Sequence, residues 1–155
     1  MKAATILVAL ALVLLALPAA AAEKPWFDIP NCDFCKFLIQ DTNLMKNMIW
    51  EHHDISNGLL TVTAVKPEFK DSYEEAMAGM AALGEEMAKG KTDVKMCGHC
   101  EYFGKLMMSG VKMENIVTSV GDINLMTTDN PETLKMICEY GRRNKEEMAK
   151  LTAPK

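Results

Sequence analysis

The chain carries two Cys-x-x-Cys pairs, Cys32/Cys35 and Cys97/Cys100, and each pair opens a half of the sequence that has the same order of signals. In both halves the pair is followed by an apolar segment that predicts a helix, and then by two strand-like segments around a turn, a proline and an amphipathic helix. The sequence therefore predicts one internally duplicated domain, with repeat one at residues 31–89 and repeat two at residues 96–151.

Each half predicts one β-hairpin. In the first half, strands over residues 49–56 and 59–65 flank Asn57-Gly58, a dipeptide that favours a two-residue turn. In the second half, strands over residues 114–120 and 122–128 turn near Gly121. Residues at every second position of a strand share one face. The alternating apolar residues that we expect to form the dry face of each hairpin are Leu60, Val62, Ala64, Ile123 and Leu125.

Amphipathic helices are predicted to close both halves, because apolar residues recur at three- and four-residue steps over residues 73–87 and 134–148. Pro67 and Pro131 suit the first turn of a helix, and the Asn130 side chain can cap the exposed amides there. Both helices end in the sequence Glu-Glu-Met-Ala-Lys, which supports the repeat.

A lone two-stranded hairpin is marginally stable in water, so we expect the two hairpins to join. The predicted fold is α+β: an antiparallel sheet of about four strands, with helices packed on it and pseudo-twofold symmetry. Corresponding residues then face each other across the axis, and the two cysteine pairs are expected to converge.

The first 22 residues have the pattern of a secretory signal peptide. Lys2 precedes an apolar run of about 15 residues, which is shorter than the roughly 20 that span a bilayer, and Ala20-Ala21-Ala22 supplies the small residues of a cleavage site. We predict cleavage before Glu23, a soluble domain at residues 23–155 with no membrane association, and a periplasmic or extracellular location.

Charge and motifs exclude several classes of function. The net charge of the chain is −4, with no cluster of Lys and Arg, so neither nucleic acid nor anionic lipid is expected as a partner. No glycine-rich phosphate loop is present, and Lys36 and Glu101 stand where c-type haem attachment requires histidine. No nucleotide or haem cofactor is expected, and a binding protein is favoured over an enzyme.

The four paired cysteines allow three chemistries. As thiolates, Cys32, Cys35, Cys97 and Cys100 can bind a metal ion, with zinc typical of tetrahedral sulfur and copper(I) the soft alternative. As local disulfides in an oxidising compartment, they stabilise a metal-free protein that binds a small ligand or a protein partner. As redox dithiols, they make a periplasmic thiol–disulfide oxidoreductase.

The tetrapeptide Cys97-Gly98-His99-Cys100 resembles the active site of protein disulfide isomerases. The resemblance covers these four residues. It implies that Cys97 is the attacking thiolate, that Cys100 is the resolving thiol and that His99 stabilises the thiolate.

The fifth cysteine and two adjacent histidines are predicted to have structural roles. Cys138 follows Ile137 on the apolar stripe of the last helix, where burial as a small hydrophobe is expected. His52 and His53 are adjacent on a strand and point to opposite faces, so they are not expected to share a metal.

Methionine is abundant, with 13 residues of which Met1 is the first. Met77 and Met80 share a helical face, and Met107 and Met108 neighbour other apolar residues, which predicts core filling. Met96, next to Cys97, is the methionine placed to join a thiolate site. A core lined by methionine also leaves a small-ligand pocket open as an alternative.

Overall fold

The computed structural model describes residues 24–91 and 93–152, and the predicted signal peptide lies outside the described residues. The strands are β1 (Met48–Ile55), β2 (Gly58–Val65), β3 (Lys112–Thr118) and β4 (Gly121–Thr127), and the α-helices are α1 (Lys70–Ala88), α2 (Gly98–Met108) and α3 (Pro131–Thr152). Short 3-10 helices cover Ile29–Asn31, Cys35–Ile39, Leu44–Asn47 and Pro67–Phe69. No helix in this described part of the chain is long and apolar enough to cross a membrane.

The four strands form one antiparallel sheet in the order β1-β2-β4-β3, with helices packed on it. This confirms the predicted α+β class and the joining of the two hairpins. The register between the inner strands β2 and β4 is symmetric, because Gly58 pairs with Thr127 and Ala64 pairs with Gly121. The internal duplication itself stays a prediction.

Both hairpin turns begin earlier than the sequence predicts. Ile55 pairs with Gly58, so the first turn is Ser56-Asn57 rather than Asn57-Gly58. Thr118 pairs with Gly121, so Gly121 starts a strand instead of forming the turn. The inner strands explain this shift, since a Cβ on Gly58 would overlap the carbonyl oxygen of Met126 in the neighbouring strand. The glycine therefore serves close approach between strands rather than the turn.

The apolar helix predicted after the first cysteine pair does not form as an α-helix. The segment Cys35–Ile39 is a single 3-10 helix, and the chain then turns. The Asp41 carboxylate accepts the backbone N–H of Asn43 at 2.9 Å and the Ser72 hydroxyl at 2.8 Å. A side chain that bonds the backbone two residues ahead stabilises a turn in place of a helix.

The helices cover the face of the sheet opposite to the one predicted to be dry. The alternating residues predicted to form the dry face are only half-buried: Leu60, Val62, Ala64, Ile123 and Leu125. On the opposite face of β2, the buried residues are Leu59, Thr61, Thr63 and Val65. Helix α3 packs so closely on β2 that a Cβ on Gly141 would lie 2.7 Å from Cδ1 of Leu59. The main core on this face consists of Trp26, Leu59, Leu106, Met126, Ile137 and Tyr140.

The long helices form as predicted, but their buried stripes are shifted. Asn130 caps α3, because its Oδ1 accepts the N–H groups of Glu132 at 2.8 Å and Thr133 at 3.2 Å. The stripe that faces the core consists of Thr133, Ile137, Tyr140 and Asn144. Cys138 is exposed, so its predicted burial is wrong. It follows Ile137 by one residue, which turns its side chain about 100° away around the helix.

Several methionines are also more exposed than predicted. Met77 and Met107 are exposed, and Met108 is 83% exposed at the end of α2. Each lies one or two residues after a buried residue, Ala76 or Leu106, and so points away from the core. Core filling is therefore wrong for these three methionines, whereas Met126 is buried in the core.

Candidate metal centre

The two cysteine pairs meet between the start of α2 and the 3-10 helices near the N-terminus. Cys97 is the N-cap residue of α2, and Cys100 lies in its first turn. Cys35 begins the 3-10 helix Cys35–Ile39. Asp33 joins the two segments, since its backbone N–H donates to the carbonyl of Lys95 and its carboxylate accepts the N–H of Lys95, both at 2.8 Å.

The N-terminal segment also holds the start of α2. The N–H groups of Gly98 and His99 donate to the carbonyl oxygens of Pro25 and Trp26 at 3.0 Å and 2.9 Å. These amides have no partner within the helix, so the N-terminal segment satisfies them. The second cysteine pair is thus positioned by the backbone of the first half of the chain.

The four cysteines form one compact group, which we call the cysteine cluster (Cys32, Cys35, Cys97 and Cys100). The Sγ atom of Cys100 lies 3.5 Å from those of Cys32 and Cys35, and the Sγ atoms of Cys35 and Cys97 are 3.7 Å apart. All four Sγ atoms lie within 4.8 Å of one another. A tetrahedral site with metal–sulfur bonds of about 2.3 Å requires sulfurs about 3.8 Å apart. The cluster can therefore hold a metal ion.

The cluster is buried in apolar surroundings. Cys32, Cys35 and Cys97 are buried, Cys100 is partly exposed, and Ile29 and Phe34 pack against the group. Charged thiolates are costly in such an environment unless a cation neutralises them. Met96, which the sequence places next to the cluster, is half-buried and is not among the residues that pack on it.

The sulfurs share their protons unequally. Contact with the Cys100 thiol lowers the pKa of Cys32 and lowers that of Cys97 to about 6. The backbone N–H groups of Cys35 and Cys100 add to this by donating to the Sγ atoms of Cys32 and Cys97. Contact with Cys32 and then Cys35 raises the pKa of Cys100. Without a cation the cluster ionises only in part, because neighbouring thiolates repel each other.

The accessibility of Cys97 and Cys100 is the reverse of what the disulfide-isomerase resemblance implies. Cys97, the implied attacking thiol, is 2% exposed, whereas Cys100 is partly exposed. His99 lies beside Cys100 rather than free in solvent, with its Nδ1 3.8 Å from Sγ. The three short sulfur contacts join one pair to the other, and all five cysteines are free thiols.

The two adjacent histidines lie on opposite faces of the sheet, as predicted. His53 is exposed beside Glu51, with a distance of 3.2 Å between Nε2 and Oε2. His52 is buried, and its Nε2 lies 3.0 Å from Nδ2 of Asn144. Burial, followed by the charge of Lys145, lowers the pKa of His52 to about 4. His52 is therefore a neutral residue of the core.

A buried polar network next to the cluster was not predicted. Trp26 Nε1 donates to Oδ1 of Asn144 at 2.8 Å, and the Tyr140 hydroxyl lies 2.6 Å from Nε2 of His99. Asn144 is fully buried. The signal in the sequence was an asparagine four residues after Tyr140 on the inward stripe of α3, where an apolar residue is usual.

No protein-family model, curated protein or solved structure matches this chain.

Proposed function

We propose that this protein is an exported binding protein that holds one transition-metal ion in the cysteine cluster. The observation that carries the proposal is the approach of four Sγ atoms to within 4.8 Å of one another, contributed by two segments far apart in the chain. The spacing supports a single ion rather than a cluster of several metals, because bridged metals would hold the cysteine sulfurs further apart. Binding would require deprotonation of the thiols, and the ion would supply the positive charge that the buried thiolates lack.

Zinc is the metal that we favour. Four sulfurs in a tetrahedral arrangement are typical of zinc, which has no redox chemistry of its own in such a site. Copper(I) is the alternative, since it also prefers soft sulfur ligands. The copper alternative gains little from the methionines, because the residues that pack on the cluster are Ile29 and Phe34.

Burial disfavours the oxidoreductase alternative. An attacking thiolate must reach a disulfide of its substrate, and Cys97 is buried. The alternative of two local disulfides is disfavoured because the four cysteines are free thiols whose short sulfur contacts, at 3.5–3.7 Å, run between the pairs. If the predicted signal peptide is correct, metal binding would also compete with oxidation of the thiols in the destination compartment.

Metal analysis combined with native mass spectrometry tests the proposal. Protein purified anaerobically, without added metal or chelator, is expected to carry about one zinc per chain. The Cys35→Ser variant should lose most of the metal, because it removes a buried ligand. Cys138→Ser is the matched control and should retain the metal, because Cys138 is exposed on α3, away from the cluster.

Two results would contradict the proposal. One is metal-free protein with two intrachain disulfides, isolated from its own compartment without reductant. The other is equal zinc content in Cys35→Ser and the wild type.

Removing zinc with a chelator should also lower the melting temperature, because an ion that binds the folded state alone stabilises it.

A further inference from the structure

Five side chains form a continuous path from the main core to the cysteine cluster: Trp26, Asn144, Tyr140, His99 and Cys100. Trp26 donates to Asn144 at 2.8 Å, and the Asn144 amide faces the hydroxyl of Tyr140 one helical turn away in α3. Tyr140 contacts His99 at 2.6 Å, and the other ring nitrogen of His99 lies 3.8 Å from Sγ of Cys100. The direction of each hydrogen bond in this path can be deduced.

The direction is set at Trp26, because an indole N–H can donate but not accept. Asn144 must therefore turn its carbonyl oxygen to Trp26, which leaves its amide nitrogen on the other side. That nitrogen has two N–H groups, and two acceptors face it. One is Nε2 of His52 at 3.0 Å, and the other is the hydroxyl oxygen of Tyr140; burial raises the pKa of this hydroxyl, and the Asn144 amide opposes that rise.

The positions of the protons on Tyr140 and His99 follow in the same way. The Tyr140 hydroxyl is buried and lies 2.6 Å from Nε2 of His99, so its single O–H donates to that nitrogen. A neutral imidazole whose Nε2 accepts carries its proton on Nδ1. Nδ1 is the nitrogen that faces Sγ of Cys100.

We propose that His99 is a positioning residue for the metal centre. Its Nδ1–H, fixed by the hydrogen bond from Tyr140 to Nε2, donates an N–H···S hydrogen bond to the Cys100 thiolate. The inference rests on the proposed function. Groups that hydrogen-bond the ligands of a metal orient them and stabilise their charge. Cys32 and Cys97 receive backbone N–H donors, and His99 supplies the corresponding donor to Cys100, the partly exposed member of the cluster.

The two cysteine motifs differ at this position. Phe34 occupies in Cys32-Asp33-Phe34-Cys35 the place of His99 in the second motif, and a phenyl ring has no N–H to donate. Cys35, which follows Phe34, is buried, whereas Cys100 is partly exposed. The imidazole thus serves the sulfur that water and competing ligands can reach.

The direct test is the tautomer of His99, measured by long-range ¹H–¹⁵N NMR on protein loaded with ¹¹³Cd as a spectroscopic substitute for zinc. The expected result is a proton on Nδ1 and a scalar coupling of that proton to cadmium through the sulfur of Cys100. Cadmium bound by four thiolates with the His99 proton on Nε2 would overturn this inference alone. Failure to bind cadmium would overturn the proposed function.

Two substitutions test the effect on metal retention. His99→Phe copies the first motif and should speed zinc transfer to a chelator about 10–100-fold, the usual effect of losing a partner of a metal ligand. His99→Asn places an amide N–H near the position of Nδ1 and should restore most of the slow transfer. His53→Phe, at the exposed neighbour of His52, is the control and should not change the rate.

Unfolding midpoints in urea show whether a variant has merely lost its fold. In the cobalt(II)-substituted protein, His99→Phe should also move the sulfur-to-metal charge-transfer bands to lower energy, because the thiolate loses a hydrogen bond. The inference fails if a folded His99→Phe variant releases zinc at the wild-type rate, or if His99→Asn releases it as fast as His99→Phe.

Discussion

Mild acid should destabilise this protein through His52. The side chain is 7% exposed, and its Nε2 accepts a hydrogen bond from Asn144. Burial, and secondarily the charge of Lys145, lowers its pKa from the ordinary 6.5 to about 4 in the folded state. In the unfolded chain the imidazole returns to water and regains its ordinary pKa.

The sign and size of the effect follow from proton linkage. Between about pH 6.5 and pH 4 the unfolded chain binds the proton of His52 and the folded chain does not, so the free energy of unfolding falls as the pH falls. Each pKa unit corresponds to about 1.4 kcal/mol. The full loss is therefore about 3 kcal/mol, and about 2 kcal/mol of it is reached at about pH 5.

Urea unfolding of the wild type and of His52→Gln at about pH 7.5 and pH 5 measures this term. Glutamine offers a carbonyl oxygen to the amide of Asn144 but does not titrate. The wild type should lose about 2 kcal/mol more than the variant on acidification. Acid release of metal affects both proteins equally and cancels in the difference. Equal losses, or an NMR titration of His52 near its ordinary pKa, would refute the reasoning.

Two further predictions concern packing, and each has an internal control. Gly58→Ala should lower the free energy of unfolding by about 1–3 kcal/mol or more, because the new Cβ would overlap the carbonyl of Met126. Its control is Gly84→Ala in α1, where the space around the glycine is open, and this change should raise the free energy of unfolding by about 0.5–1 kcal/mol. Ile137→Ala removes a fully buried side chain and should lower the free energy of unfolding, measured by chemical denaturation, by about 2–5 kcal/mol. Its control is Cys138→Ala at the exposed neighbouring position, which should stay within about 0.5 kcal/mol of the wild type. Similar losses at Ile137 and Cys138, or a neutral Gly58→Ala, would contradict this packing of β2 and α3.

Local signals in the sequence were sufficient for the fold class. The periodicity of residues 73–87 and 134–148 predicted α1 and α3, and the cap at Asn130 formed as expected. Alternation and glycines predicted four strands to within a few residues. These features depend on neighbours in the chain, so a sequence pattern can report them.

The tertiary structure decided which surfaces are buried. The face of the sheet with Leu60 and Val62 is the more apolar, yet α3 packs on the opposite face, where Gly141 meets Leu59. The burial of Ile137 and the exposure of Cys138 depend on the rotation of α3 over the sheet, which no local pattern specifies to within one residue.

For the candidate site too, the sequence determined one part and the tertiary structure the other. The two Cys-x-x-Cys pairs are local motifs, and the sequence by itself identified them as the source of chemistry and, through the repeat, as residues expected to converge. Only the folded chain brings Asp33 against Lys95 and Trp26 against Asn144, contacts between segments 62 and 118 residues apart. Sequence spacing carries no information on such contacts, because the loops between these segments are free to adopt many paths until the core closes around them.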